Sequence, residues 1–165
     1  MSSPSDRVAF VLSEGASLGA VQLGMLDALY ERGIVPQLTV GTSVGAVNGA
    51  FIASRPRTVP TARELAVIWP GLRRGQIFPL NPLTGLLGFM ESRDHLVPGS
   101  SLRKLVAGHS HGQRLEKMPI ELHVIAVDVL TGKDLLLSKG PALDAVLASA
   151  AIPAVFRRCS GRAAS

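Results

Sequence analysis

The sequence predicts an α/β fold in which a mostly parallel sheet carries its chemistry on loops at the C-terminal ends of its strands. Three observations predict it. A β-branched and aromatic run at residues 7–13 is followed by a glycine-bearing loop and an apolar-periodic stretch starting at Gly19. A second short run at 37–41 leads directly into another helical stretch at 44–53. Further on, two β-rich runs and a last helical stretch repeat the alternation.

Each element has its own justification. RVAFVLS, residues 7–13, has the continuous apolar character of a buried parallel strand. Past the loop, Leu23, Leu26 and Tyr30 recur at helical spacing, and Gly33 stands where a C-terminal cap belongs. QLTVG at 37–41 reads as the second strand, and 44–53 as a helix entered straight from it. Thr61 and Glu64 form a capping-box pattern that starts a helix over 61–69, which Pro70 is expected to stop.

Prolines at 70, 79, 82 and 98 and glycines at 71, 75, 85, 88 and 99 break any long element between 70 and 100. This stretch is expected to be an irregular flap. Its Phe78, Leu80, Leu83, Leu86, Leu87, Phe89 and Met90 are expected to pack onto the domain, with contact to lipid acyl chains as the alternative. SLRKLVAG at 101–108 reads as a short helix. Residues 120–129 and 133–138 read as strands joined as a hairpin through Leu130, Thr131 and Gly132, and 142–152 as a final helix ended by Pro153. No internal repeat or low-complexity tract suggests a second domain.

A chain of 165 residues suits one domain, and at that size roughly 70% of the unfolded surface can be buried. An apolar share of 47% against 18% charged residues, with a mean hydropathy of +0.31, argues against disorder for most of the chain. The net charge of +5 favours acidic partners, among them an anionic membrane surface touched peripherally. The basic pairs Arg73-Arg74, Arg103-Lys104 and Arg157-Arg158 lack interleaved aromatics. Nucleic acid is therefore not expected as a partner, and a solvated basic face is the better reading.

Cys159, the one cysteine, excludes an internal disulfide, and no Cys/His spacing supports structural zinc. The N-terminal residues lack a leader pattern, and no apolar run approaches the ~20 residues of a spanning helix. The expectation is a cytoplasmic protein with, at most, surface contact to a membrane.

Gly41-Thr42-Ser43-Val44-Gly45 fits the G-x-S-x-G elbow, in which a nucleophile sits on a strained strand-to-helix turn and flanking glycines remove clashing side chains. A tight packing turn is the competing reading. The second feature is SEGASLG at 13–19, whose successive N–H groups, at the positive end of a helix dipole, could cradle an anion. It lacks the Gly-Lys-Ser/Thr of a P-loop, and Gly15 and Gly19 stand four apart without the extra glycine of a dinucleotide fingerprint. An oxyanion hole for a reacting ester is the reading left.

Taken together, VLSEGASLGAVQLGMLDALYERGI, VGTSVGAVNGA and AVDVLTGKDLLLSKGPALDAVLASAAIPAVF resemble the patatin-like phospholipases over about residues 7–156. The resemblance implies a patatin-like three-layer α/β/α sandwich with a mostly parallel central sheet. It implies a Ser/Asp dyad that hydrolyses acyl esters of phospholipids or neutral lipids, without histidine, metal or other cofactor. Ser43 is then the nucleophile between the elbow glycines Gly41 and Gly45, and the oxyanion hole falls on Gly15, Ala16, Ser17 and Gly19.

Two departures from the family pattern stand out. Glu14 and Ala16 occupy positions that are usually glycine, and Leu18 one that is often Arg or Lys; a carboxylate at Glu14 opposes a developing oxyanion unless it points to solvent. Members continue past the SAAIPAVF segment to an Asp-Gly-Gly or Asp-Gly-Ala motif whose aspartate takes the serine proton, whereas here RRCSGRAAS follows. None of the six aspartates (Asp6, Asp27, Asp94, Asp128, Asp134, Asp144) precedes a glycine, and Asp128 aligns with a common non-catalytic position.

The expectation is therefore a partial domain over 7–156 between a tail at 1–6 and a divergent tail at 157–165. It lacks the dyad aspartate and is weak or inactive as an esterase. The expected account is a truncated or frame-shifted product of a longer lipase gene, whose incomplete sheet edge is expected to promote self-association.

Three rivals remain. An α/β-hydrolase triad of Ser43, Asp94 and one of His109, His111 or His123 has the right order, but that fold places several strands before the elbow and here one precedes it. His109 and His111 as a metal pair lack a nearby carboxylate or cysteine. A lipid-surface binding module that keeps the anion cradle without turnover fits the missing aspartate.

Overall fold

Alternating side chains on three parallel strands build the core. β1 (Ala9–Leu12), β2 (Leu38–Thr42) and β3 (Glu121–Val127) pair so that Phe10, Thr39 and Leu122 stand in one row and Leu12, Gly41 and Val124 in the next. These residues are all buried, as period-2 alternation requires of a covered sheet face. β4 (Asp134–Leu137) adds to β3 antiparallel, giving the order β1-β2-β3-β4. The computed structural model describes residues 7–13, 15, 19–73 and 113–150, with 70–73 described as backbone alone.

Four helices accompany the sheet among the described residues: α1 (Gly19–Glu31), α2 (Val44–Ala53), α3 (Val59–Arg73) and α4 (Ala142–Ala150). α2 is central because it is small and apolar nearly all round. Ala46, Ala50 and Ala53 pack with Leu122, Val124 and Val146, while Phe51 and Ile52 pack with Phe10, Leu23, Leu26 and Trp69. Its small residues let the helix backbone sit close to the strands, and its two larger ones wedge it against α1 and α3. The class is α/β with a mixed, mostly parallel sheet, as the sequence predicts.

Several expectations hold in detail. Leu23, Leu26 and Tyr30 are the buried stripe of α1, and Gly33 ends it at φ 70 with its N–H donating to Tyr30. Residues 120–138 form the expected hairpin. Its turn is held by Asp128, whose Oδ1 accepts the N–H groups of Leu130 at 2.8 Å and Thr131 at 3.1 Å.

Others are corrected. β1 is not buried throughout: Val11 is 74% exposed, because the core lies against the Phe10 and Leu12 side of the sheet and β1 is an edge of the described sheet. The helix expected at 61–69 begins at Val59 and runs past Pro70 to Arg73. The capping box does not form. The Thr61 hydroxyl instead donates to the Pro56 carbonyl at 2.7 Å, and Glu64 lies 3.5 Å from Arg55. Pro70 withholds a single backbone donor, which the last turn of a helix tolerates better than its middle.

The first residues of the expected flap, 70–73, are helical instead; the rest of it, the helix at 101–108, the end of the final helix and both tails lie outside the described residues, as do Asp94, His109, His111 and Cys159. No described helix is long and apolar enough to cross a membrane.

Candidate active site

Ser43 leaves β2 and enters α2 with no intervening loop. Its φ of 55 and ψ of −120 make it the one described non-glycine residue with positive φ, a conformation that costs about 1–3 kcal/mol and persists only where the surroundings enforce it. The enforcement is visible. A methyl group on Gly45 would overlap the Leu12 carbonyl oxygen and lie 2.8 Å from that of Ser13, and one on Gly41 would lie 2.6 Å from Ala46 Cα. The N-terminus of α2 is thus pressed onto the end of β1. Close packing explains the two glycines, but not why a serine, which disfavours that φ, occupies the turn between them.

Hydrogen bonds fix the same turn. The Ser43 carbonyl accepts from Ala46 and Val47, opening α2. The Ser43 N–H donates to Ser149 Oγ at 2.8 Å, and that hydroxyl donates to the Ile125 carbonyl at 2.6 Å. Ser43 itself is half-buried rather than sealed in the core.

The described ends of the loop after β1, Ser13 and Gly19, lie beside this elbow. A methyl group on Gly19 would lie 2.6 Å from Val44 Cγ2 and 2.7 Å from the Trp69 ring. Both loop ends are tied to the interior by one chain of side-chain amides. Gln22 Nε2 donates to the Ser13 carbonyl at 2.7 Å, and Asn48 Nδ2 donates to the Gly19 carbonyl at 3.3 Å and to Gln22 Oε1 at 2.9 Å. Trp69 Nε1 completes the chain by donating to Asn48 Oδ1 at 2.9 Å. Gly15 is half-buried and Gly19 buried; Glu14, Ala16, Ser17 and Leu18 lie outside the described residues.

The structure therefore brings Ser43, Gly41, Gly45 and Gly19 together at the C-terminal ends of β1 and β2. It does not bring a described carboxylate or imidazole into hydrogen bonding with Ser43. Asp128 is committed to its hairpin turn, and Asp27 pairs with Arg63 at 3.2 Å. His123 stands on β3 between Ser138 Oγ at 2.6 Å and Glu121 Oε1 at 3.0 Å.

Sequence reasoning missed Gln22, Asn48, Trp69 and Ser149. Asn48 carried a usable signal: one amide in the otherwise small and apolar run VGAVNGAFIA implies a buried polar partner. Ser149 carried none, being one small residue among alanines.

A family model described as patatin-like phospholipase matches residues 10–162. An uncharacterized NTE family protein of Mycobacterium tuberculosis is 31% identical over 155 residues, 93% of this chain and 40% of that protein. A triacylglycerol lipase of Arabidopsis thaliana is 45% identical over 49 residues, 30% of this chain and 6% of that protein. The crystal structure of the type III effector protein ExoU shares the fold, with a TM-score of 0.56, 18% identity, and coverage of 92% of this chain and 40% of that one. The chain thus spans about 40% of the length of the NTE family relative.

Proposed function

The chain belongs to the patatin-like phospholipase family, and on that premise we propose that Ser43 is the nucleophile of a lipid acyl hydrolase acting on carboxylic esters of phospholipids or neutral lipids. One observation carries the reading. A serine held at φ 55 on a strand-to-helix turn abuts a second loop that enters a helix from its N-terminal side. Strain at a polar residue is the usual mark of an enforced functional geometry.

The chemistry follows from that arrangement. Ser43 Oγ attacks the acyl carbon, its proton passes to a base, and negative charge moves to the carbonyl oxygen. Amide N–H groups of the 13–19 loop, Gly15, Ala16, Ser17 and Gly19 among them, receive that charge at the positive end of α1. The alcohol then leaves, and water releases the acid from the serine ester. The aspartate-glycine pair that the family uses as base has no match in this sequence. A site left with its oxyanion donors and its binding surface retains ~10³ to 10⁴-fold catalysis over water in related serine chemistry, so slow turnover is the expectation for these residues alone.

A fluorophosphonate probe tests the reading. Labelling mapped to Ser43, with slow hydrolysis of a short-chain p-nitrophenyl ester, both abolished by Ser43→Ala, is the expected result. Binding to anionic phospholipid vesicles with Ser43 unlabelled would replace it with a lipid-surface module that keeps the cradle and lacks turnover.

A further inference from the structure

Ser149 lies 106 positions from Ser43 in sequence and in direct contact with it in space. It sits in the last turn of α4, on the far side of β3 in the chain order, and nothing in its own helix calls for a hydroxyl there. The hydroxyl both accepts and donates. It accepts the Ser43 N–H at 2.8 Å and donates its own proton to the Ile125 carbonyl at 2.6 Å. Ile125 is the β3 residue in register with Thr42, the last residue of β2 before the elbow. One oxygen therefore bridges three elements: the C-terminal end of β3, α4, and the strained turn.

We propose that Ser149 is a positioning residue, which locks the Ser43 backbone in its positive-φ conformation and so sets the direction of the Ser43 hydroxyl. The inference rests on Ser43 being the nucleophile. Its physical basis is direct. Ser43 is the N-cap of α2, so its N–H has no carbonyl partner within the helix, and its side chain makes no capping bond. The donor must be met from outside, and a partner anchored to β3 meets it in only one orientation of the peptide plane. Rotating that plane to relieve φ would break the bond and leave the Ser43 N–H without its acceptor, while Ser149 stays anchored to the Ile125 carbonyl. The glycines at 41 and 45 permit the turn; the Ser149 hydroxyl selects it.

The test uses the whole chain and two readouts. The first is the rate of fluorophosphonate labelling at Ser43, mapped by peptide mass spectrometry. Ser149→Ala is expected to slow it at least tenfold and Ser149→Thr, which keeps a hydroxyl, to restore it to within about threefold. Ser149→Cys keeps size but bonds weakly, and is expected to behave like the alanine variant; it serves in its place if Ser149→Ala does not fold. The second readout is hydrogen exchange of the Ser43 amide by NMR, expected to accelerate at least tenfold in the alanine or cysteine variant and not in the threonine variant.

Equal labelling rates in wild type and the variants that lack the hydroxyl overturn the positioning role, as does unchanged exchange at the Ser43 amide. A wild-type chain that leaves Ser43 unlabelled overturns the nucleophile assignment instead. In that case the exchange readout still decides whether Ser149 holds the turn.

Discussion

The indole N–H of Trp69 donates to the side-chain oxygen of Asn48 at 2.9 Å, with both residues buried. Asn48 lies on α2 one turn beyond Ser43, and its other side-chain atom reaches the Gly19 carbonyl at the far end of the glycine-bearing loop. The only tryptophan of the chain is thus wired to the contact between the two halves of the proposed site.

Asn48→Ala is expected to destabilise the fold by about 3 kcal/mol, since it leaves a buried indole N–H and two acceptors short of a partner. Urea denaturation followed by Trp69 emission measures this directly. The native emission maximum shifts in the same variant, because the indole loses its acceptor; an unchanged maximum would mean that the pair is not formed in solution.

Gly45→Ala places a methyl group against the Leu12 and Ser13 carbonyls, which are backbone atoms that cannot swing aside. A loss of about 3 kcal/mol is expected, together with loss of Ser43 labelling in whatever fraction remains folded. Gly24→Ala is the control: a methyl group there meets nothing within 4 Å. It should be neutral or slightly stabilising, because alanine is the better helix former.

Tyr30 buries its hydroxyl without a hydrogen-bond partner among the described residues, while its ring packs against Phe10 with centroids 6.3 Å apart. Tyr30→Phe keeps the ring contact and removes the stranded oxygen, so stability at pH 7 should change by less than about 1 kcal/mol or rise. Burial pushes the phenol above its ordinary value of 10.0, with Arg57 partly opposing. Relative to the unfolded chain, stability is therefore complete below pH 10 and lost as pH climbs toward the folded value. Thermal melts from pH 9 upward should show wild type falling away from Tyr30→Phe, a clean comparison because this is the single tyrosine.

Glu116 staples the segment before β3 to the turn before α4. Its own backbone N–H, the Arg114 guanidinium at 2.6 Å and the Gly140 N–H at 2.9 Å hold its carboxyl down to about 2, from an ordinary 4.5. A lowered carboxylate stabilises the fold above pH 4.5 and loses that contribution as pH falls toward 2. Glu116→Gln should flatten this part of the acid limb in urea midpoints taken from pH 6 to pH 2, and leave Ser43 labelling unchanged.

Much of the molecule was legible because its signals are local. The Leu23, Leu26 and Tyr30 stripe, the Gly33 cap and the hairpin through Leu130, Thr131 and Gly132 each follow from residues within a few positions of one another. The elbow was legible for the same reason: a strand, a serine between glycines and a helix are contiguous. The start of α3 was misread because Thr61 and Glu64 satisfied a local rule while their side chains found better partners in Pro56 and Arg55.

Sequence by itself determined the strand-loop-helix order, the hydrophobic faces and the place of Ser43 between its glycines, since each depends on backbone preference and periodicity over a few residues. Only the tertiary structure decided what holds that serine: Leu12 pressed against Gly45, an amide chain from Trp69 to Ser13, and a hydroxyl from Ser149. Those partners come from segments up to 106 residues away, and a hydrogen bond or steric contact across such a gap leaves no periodicity to read. It exists only once packing has brought the segments together.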